Sequence, residues 1–309
     1  MAENRLNIIH LPDENTLKKN HQPTQDIRSN ERKAKFERLW LIDPKQFDPL
    51  SSCIESLRLD RTWLLLNKYA SLKEKPQTLD IGCGEGVFSR KLRDAGARVT
   101  AIDISENALK KFKQSGADDI QLKQKAMPQT DLPGGIFNII ICTELIADIA
   151  PEDYRLFFAE LSRLIERNGY LVFSTSIDIN SDGAVERLKE LAESEFDIIE
   201  AIASYHAFYL RLKNYTSIPS RFIQGWENQE CKKKELLHLH GLTRLWYLLN
   251  TSPCLIWLWY ACHYFSKPIE NILRHKRKVL LFLEKMSRFI SDKQGVSHYL
   301  FIAKLRSFQ

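Results

Sequence analysis

One turn constrains this chain more than any other feature. It reads Asp80-Ile81-Gly82-Cys83-Gly84-Glu85-Gly86, and Ala101-Ile102-Asp103 follows at a fixed distance. The apolar run Thr78 to Ile81 predicts a buried strand and Val87 to Ala95 a helix, so the glycines fall where strand turns into helix. Glycine at such a turn adopts φ > 0 without penalty and lets the backbone approach a ligand closely. Asp103 ends the next apolar strand, Arg98 to Ile102, where a carboxylate can accept hydrogen bonds from both hydroxyls of a ribose. Together these features point to a small adenosine-containing cofactor.

The spacing is G-x-G-x-G, not the dinucleotide G-x-G-x-x-G, and there is no G-x-x-x-x-G-K-[ST] phosphate cradle. A second acid, Asp80, precedes the first glycine by two positions. From about Gln77 to Ser176 the chain resembles the class I S-adenosylmethionine-dependent methyltransferases, and within them the ubiquinone-biosynthesis type that acts on small molecules. The glycine turn looks like that family's first motif, and Val99-Thr100-Ala101-Ile102-Asp103-Ile104-Ser105 like the second. Ala126-Met127 before Asp131-Leu132-Pro133 falls where the family lines the adenine. Phe137 to Glu144 looks like the fourth strand with its acidic end, and Leu164 to Phe173 like a helix end, turn and fifth strand.

The resemblance implies an α/β fold: a doubly wound, Rossmann-like, seven-stranded sheet whose last strand is antiparallel. It implies S-adenosyl-L-methionine as cofactor. Its cofactor-binding positions are Asp80, Gly82, Cys83, Gly84, Gly86, Asp103, Ile104, Met127 and Glu144. The glycine turn would hold the amino-acid part, Asp103 the ribose and Met127 the adenine. Glu144 would face the transferred methyl.

At 309 residues there is room for one such domain and roughly a hundred residues more. A net charge of +6 and pI near 8.9 permit an anionic partner without demanding one. Six scattered cysteines with no C-x-x-C read as reduced thiols, neither a disulfide nor a zinc framework. The opening residues do not read as a signal peptide, and the expected location is cytoplasmic, with the inner face of a membrane as an alternative.

Residues 1–34 are polar and read as a mobile tail, and 35–75 as helices broken at Asp43-Pro44 and Asp48-Pro49. The core is expected over 76–205, a helical insertion over 206–295 and the last strand over 296–309. Helix Pro151 to Arg167 should stop at Asn168-Gly169. Within the insertion, Leu245 to Phe265 carries no formal charge and is crowded with Trp and Tyr, between basic clusters at Lys232–Lys234 and Arg274–Lys278. Three readings stand, in order of preference: a cap whose aromatics line a substrate pocket, a cap that also touches membrane, and a true span. Asn250-Thr251-Ser252-Pro253 interrupts the stretch and argues against the last.

For catalysis the candidates are Asp148, His206 and Glu144. The ubiquinone-type relatives carry an acid and a histidine after strand four, whereas this chain has Asp148 where the histidine would fall. Asp148 is therefore a base or a helix cap, and His206 a base or a structural histidine. His238-x-His240 lacks companion ligands, so no metal is expected. Pro253-Cys254 lies in the wrong place for a cytosine-type nucleophile, and no [DN]-P-P-[YF] follows strand four. The reading favoured is methyl transfer to oxygen or nitrogen of a small, apolar or lipid-like acceptor, with nucleic acid disfavoured. The alternatives are an RNA or protein methyltransferase, or an inactive methyltransferase-like protein that serves as a binding or membrane-docking module.

Overall fold

The computed structural model describes residues 25–179, 181, 183–290 and 295–306, without the side chains of Glu230, Cys231, Lys234 and His238. It divides into two compact units. One holds the residues up to Tyr205 together with the last strand, and the other is His206–Asp292.

The first unit is built on a seven-stranded sheet of order β3-β2-β1-β4-β5-β7-β6. Strands β1 (Gln77–Ile81), β2 (Arg98–Asp103), β3 (Gln121–Gln124), β4 (Phe137–Thr143) and β5 (Ile165–Ser176) are parallel. Strand β7 (His298–Leu305) runs antiparallel between β5 and β6 (Phe196–Ser204). The central strands are covered on both faces, so they read as unbroken apolar runs such as Ile139-Ile140-Ile141, all buried. Phe173 of β5 stacks on Phe301 of β7 at 5.0 Å. Each such ring, taken fully out of water, contributes about 1.5–3 kcal/mol.

Helices α3 (Val87–Asp94), α4 (Glu106–Gln114), α5 (Tyr154–Leu164) and α6 (Ala184–Glu193) connect the strands. Helix α5 ends at Leu164, three residues before the expected Arg167. Ile165 already pairs with Phe137, and the register then shifts so that Tyr170 pairs with Ile139. The bulge between them is pinned by Asn138, which donates to Glu166 and accepts from the Gln77 N–H at 2.8 Å. Ladder pairing has taken residues that local helix signals claimed.

Two helices precede the sheet, α1 (Gln25–Ile42) and α2 (Cys53–Tyr69). Helix α1 starts at Gln25, so residues 25–34 of the stretch expected as tail are helical; residues 1–24 lie outside the described ones. Glu37 explains part of this. Its carboxylate accepts from Glu106 N at 2.6 Å, Asn107 N at 3.1 Å and Ser105 Oγ at 3.1 Å, placing a negative charge on the N-terminus of α4. Burial opposes ionisation of Glu37, but these donors outweigh it and hold its pKa below the usual value.

The second unit is helical: α7 (Ala207–Glu227), α8 (Gln229–His238), α9 (Gly241–Asn250), α10 (Ile256–His275) and α11 (Arg277–Ile290). Its small core centres on Phe222, 4.6 Å from Trp259 and 5.1 Å from Trp246. The aromatic stretch divides at Asn250, whose Oδ1 accepts the Trp259 indole N–H at 3.1 Å. Among the described residues no helix is long and apolar enough to cross a membrane.

Candidate active site

Beyond the carboxyl ends of β1 and β4 the strand order reverses, which is where a doubly wound sheet opens a crevice. A cleft of about 290 Å³ lies there. Asp80, Gly82, Cys83, Gly84, Asp103, Ile104, Met127, Glu144 and Asp148 all line it.

The glycine turn is held by the next strand, since Gly82 N and Cys83 N both donate to Ile102 O, at 2.8 and 3.1 Å. Gly84 has φ 54°, and a Cβ there would sit 3.1 Å from the Trp40 ring of α1. Gly86 is different. At φ 78° it caps α3, and a Cβ would come within 2.2 Å of Phe112, so this glycine makes room for a core ring and does not line the cleft.

Asp103 accepts Gly84 N at 3.0 Å on one oxygen and Ser105 N at 2.9 Å on the other. Each oxygen has a second lone pair for a further donor. Burial raises its pKa, with the Glu37 charge adding to the effect, against those backbone donors. Asp80 is more strongly affected. Burial, helped by the charge of Asp103, pushes it up to about 6, although Ser89 Oγ donates to it.

At the end of β4, Glu144 has φ 58°, a left-handed conformation that costs a non-glycine residue energy and marks functional turns. Its carboxylate accepts Ser174 Oγ at 3.1 Å and Ser176 Oγ, and lies 3.6 Å from Arg58 Nε. Arg58 of α2 also donates twice to Glu55, at 2.8 and 3.0 Å. Burial alone would lower its pKa, but the charges of Glu55 and Glu144 overcome this and raise it. Asp148 accepts Lys35 Nζ of α1 at 2.7 Å. The turn before α5 begins at Ala150 with no side-chain cap, so the helix-capping role expected for Asp148 is not what the structure shows.

His206 does not line the cleft. It opens α7 in the second unit, buried, with Nε2 3.9 Å from Glu284. The His238 side chain lies outside the described residues, among which no cluster of metal-binding side chains occurs.

Helix α1 supplies what the sequence reading missed. Trp40 faces Gly84, Arg32 donates to Met127 O at 2.7 Å, and Arg28 forms a two-bond pair with Asp153 at 2.6 and 3.1 Å. Arg58 and Glu55 were legible only as an i,i+3 pair on one helix. Seven carboxylate residues and three cationic ones line the cleft, which therefore favours a positively charged ligand.

Residues 79–173 match the family model described as a methyltransferase domain. A ubiquinone biosynthesis O-methyltransferase from Bordetella avium is 29% identical over 140 residues, 44% of this chain and 55% of that protein. One from Aromatoleum aromaticum is 34% identical over 140 residues, 44% and 56%. One from Pseudoalteromonas translucida is 27% identical over 194 residues, 57% and 76%. The chain thus spans about half the length of the first two of these curated relatives. Among solved structures, the N-methyltransferase NodS from Bradyrhizobium japonicum, in complex with S-adenosylhomocysteine, superposes with a TM-score of 0.45 at 19% identity, over 56% of this chain and 89% of that one.

Proposed function

We infer that this chain, which belongs through residues 79–173 to the class I S-adenosylmethionine-dependent methyltransferases, transfers a methyl group to oxygen or nitrogen of a small, apolar or lipid-like acceptor. The observation that carries the reading is the meeting, in one acidic cleft, of the glycine turn, the backbone-held Asp103 and the strained Glu144. S-adenosylmethionine supplies an electrophilic methyl on a sulfonium, so the protein's work is to position, orient and exclude water.

The residues present fit that group. Asp103 keeps lone pairs for ribose hydroxyls, Met127 offers an apolar wall for the adenine, and the bare backbone at Gly82 and Gly84 leaves room for the amino-acid end. Seven carboxylates around the cleft match the cofactor's positive charge. Trp40 and Arg32 of α1 cover the cleft beside Gly84 and Met127, which limits water. At the acceptor end, Glu144 takes a proton from the attacking hydroxyl or ammonium, and Arg58, Ser174 and Ser176 fix its orientation. Asp148 carries out the same role only when Lys35 releases it.

A second reading, a cofactor-binding protein without turnover, draws on one observation: Glu144 and Asp148 both face a cationic partner. Calorimetric titration with S-adenosylmethionine and S-adenosylhomocysteine, with NAD as control, tests the cofactor. Transfer of labelled methyl to apolar phenols, quinone precursors and lipid extracts tests the reaction. Micromolar binding with transfer that Glu144→Gln abolishes is expected. Binding with no transfer to any acceptor selects the second reading, and binding of NAD alone overturns both.

A further inference from the structure

The two units differ sharply in charge. Residues 206–292 carry fourteen Lys and Arg against six Asp and Glu, a formal +8; the remainder carries thirty-one against thirty-three, −2. The chain's whole positive excess therefore lies in the helical unit.

Four acids of that unit have described side chains: Glu284 is buried, Glu235 and Glu270 are half-buried and Glu227 is exposed, and each meets a neighbouring side chain. Glu227 accepts the Tyr260 hydroxyl at 2.5 Å, and Glu235 pairs with Arg221 at 3.4 Å. Glu270 accepts Ser220 Oγ at 3.5 Å, and Glu284 is buried near His206. Helix α9 has no acid at all, and α10 and α11 have one each. Lys267 of α10, Lys276 between α10 and α11, and Lys278 and Lys285 of α11 are exposed, and the exposed residues described on α9, α10 and α11 include no acid.

Interleaved with these lysines are large apolar side chains that the fold leaves in water. On α10, Trp257 is 76% exposed and Tyr264 77%, seven residues apart and hence on one face. On α11, Phe289 is 90% exposed, and Phe282 shares its face, alternating with Lys278 and Lys285 at helical spacing. On α9, Leu242 is 83% exposed. Exposed apolar surface on this scale marks an interaction surface.

We propose that the helical unit docks on an anionic lipid bilayer through the outward faces of α9, α10 and α11. The tryptophan, phenylalanine and leucine side chains enter the interface, and the lysines engage lipid phosphates. The chemistry separates this occupant from the others. RNA would use the lysines and rings but leave exposed Leu242, Leu258, Ile272 and Ile290 without a partner, whereas a bilayer takes them. A second copy would bring two +8 surfaces face to face. A span is not available, so the contact is peripheral.

The test is co-sedimentation of the full chain with vesicles of phosphatidylcholine alone or of equimolar phosphatidylcholine and phosphatidylglycerol. Partitioning into the mixed vesicles should be at least about tenfold stronger and should weaken as salt shortens the Debye length. Brominated phospholipid should quench the intrinsic tryptophan fluorescence of the unaltered protein. The triple variant Trp257→Ser/Tyr264→Ser/Phe289→Ser should bind at least about tenfold less, with circular dichroism and cofactor affinity unchanged, and Lys276→Glu/Lys278→Glu/Lys285→Glu should abolish the preference for anionic lipid. Absence of binding to both vesicles, or binding without quenching, overturns the proposal. So does a dimer or an RNA complex that the triple variant loses while vesicle binding persists. None of these readouts depends on methyl transfer, so failure here leaves the proposed function standing.

Discussion

The two units of this chain spend their apolar residues differently. In the sheet unit the Ile, Val and Phe of the central strands are buried, though single residues such as Leu41 and Leu64 stay exposed, and the charged residues that surround its cleft are predominantly acidic. In the helical unit the core is a few rings around Phe222, while Trp257, Tyr264 and Phe289 stand in water among lysines. A side chain of the same type is therefore a stability determinant in one unit and a surface determinant in the other. The difference teaches that the central sheet closes over its own apolar residues, whereas the helical unit leaves large aromatic side chains in water beside lysines.

Substitutions that treat the two regions alike should separate them most clearly. The largest effect is expected for Gly86→Val, which forces a β-branched residue to φ 78° and drives its Cβ into Phe112. The loss should exceed about 3 kcal/mol in urea unfolding. A loss below about 1 kcal/mol would mean that the turn is not the rigid joint described.

Next comes Asp80→Asn. A carboxyl whose folded pKa is about 6, above its ordinary 3.8, binds its proton more tightly when folded. Stability then falls as pH rises from about 4 to about 6, at a cost of up to about 3 kcal/mol above that window. The variant should be more stable than the parent at pH near 7.5 and indistinguishable below about pH 4. It should also bind S-adenosylmethionine more weakly at neutral pH, because the ionised carboxylate that favours the cation is gone. Parallel stability curves for the two proteins would refute the assignment.

Asp103→Ala should weaken cofactor binding by about 1–3 kcal/mol, roughly 5- to 150-fold, read by calorimetry. Unchanged affinity would remove Asp103 from the ribose. The smallest effect belongs to the helical unit: Trp257→Ser should alter stability by no more than about 0.5 kcal/mol. A loss of several kcal/mol would show that this ring is packed after all, and the contrast between the units would collapse.

The strand-to-helix turn, Asp103 and Glu144 were legible because each sits at the end of an apolar run, whereas Met127 was placed only by the resemblance. Strands β1, β2 and β4 fall within a residue or two of where their apolar patterns put them, and β7 lies within the stretch expected for the last strand. Lys35, Glu37, Trp40 and Arg58 were not legible, because their roles depend on partners distant in sequence: Asp148, the α4 N-terminus, Gly84 and Glu144. A polar, charged segment such as 25–34 looks like tail until Arg28 finds Asp153 and Arg32 the Met127 carbonyl. The end of α5 was misread because ladder pairing with β4 outcompetes local helix preference. Gly86 belongs to the motif by pattern but serves Phe112 by packing.

The position of β7 has a consequence for how the molecule is made. Among the described residues, strand β6 is hydrogen-bonded to the sheet only through β7, which lies about ninety residues later in the chain, after the whole helical unit. While the ribosome is still making that unit, β5 and β6 each present an open edge, and neither can be sealed by a neighbour in sequence. Closure of the sheet is thus a late, long-range event, with the slow loop closure and aggregation exposure that such pairings entail.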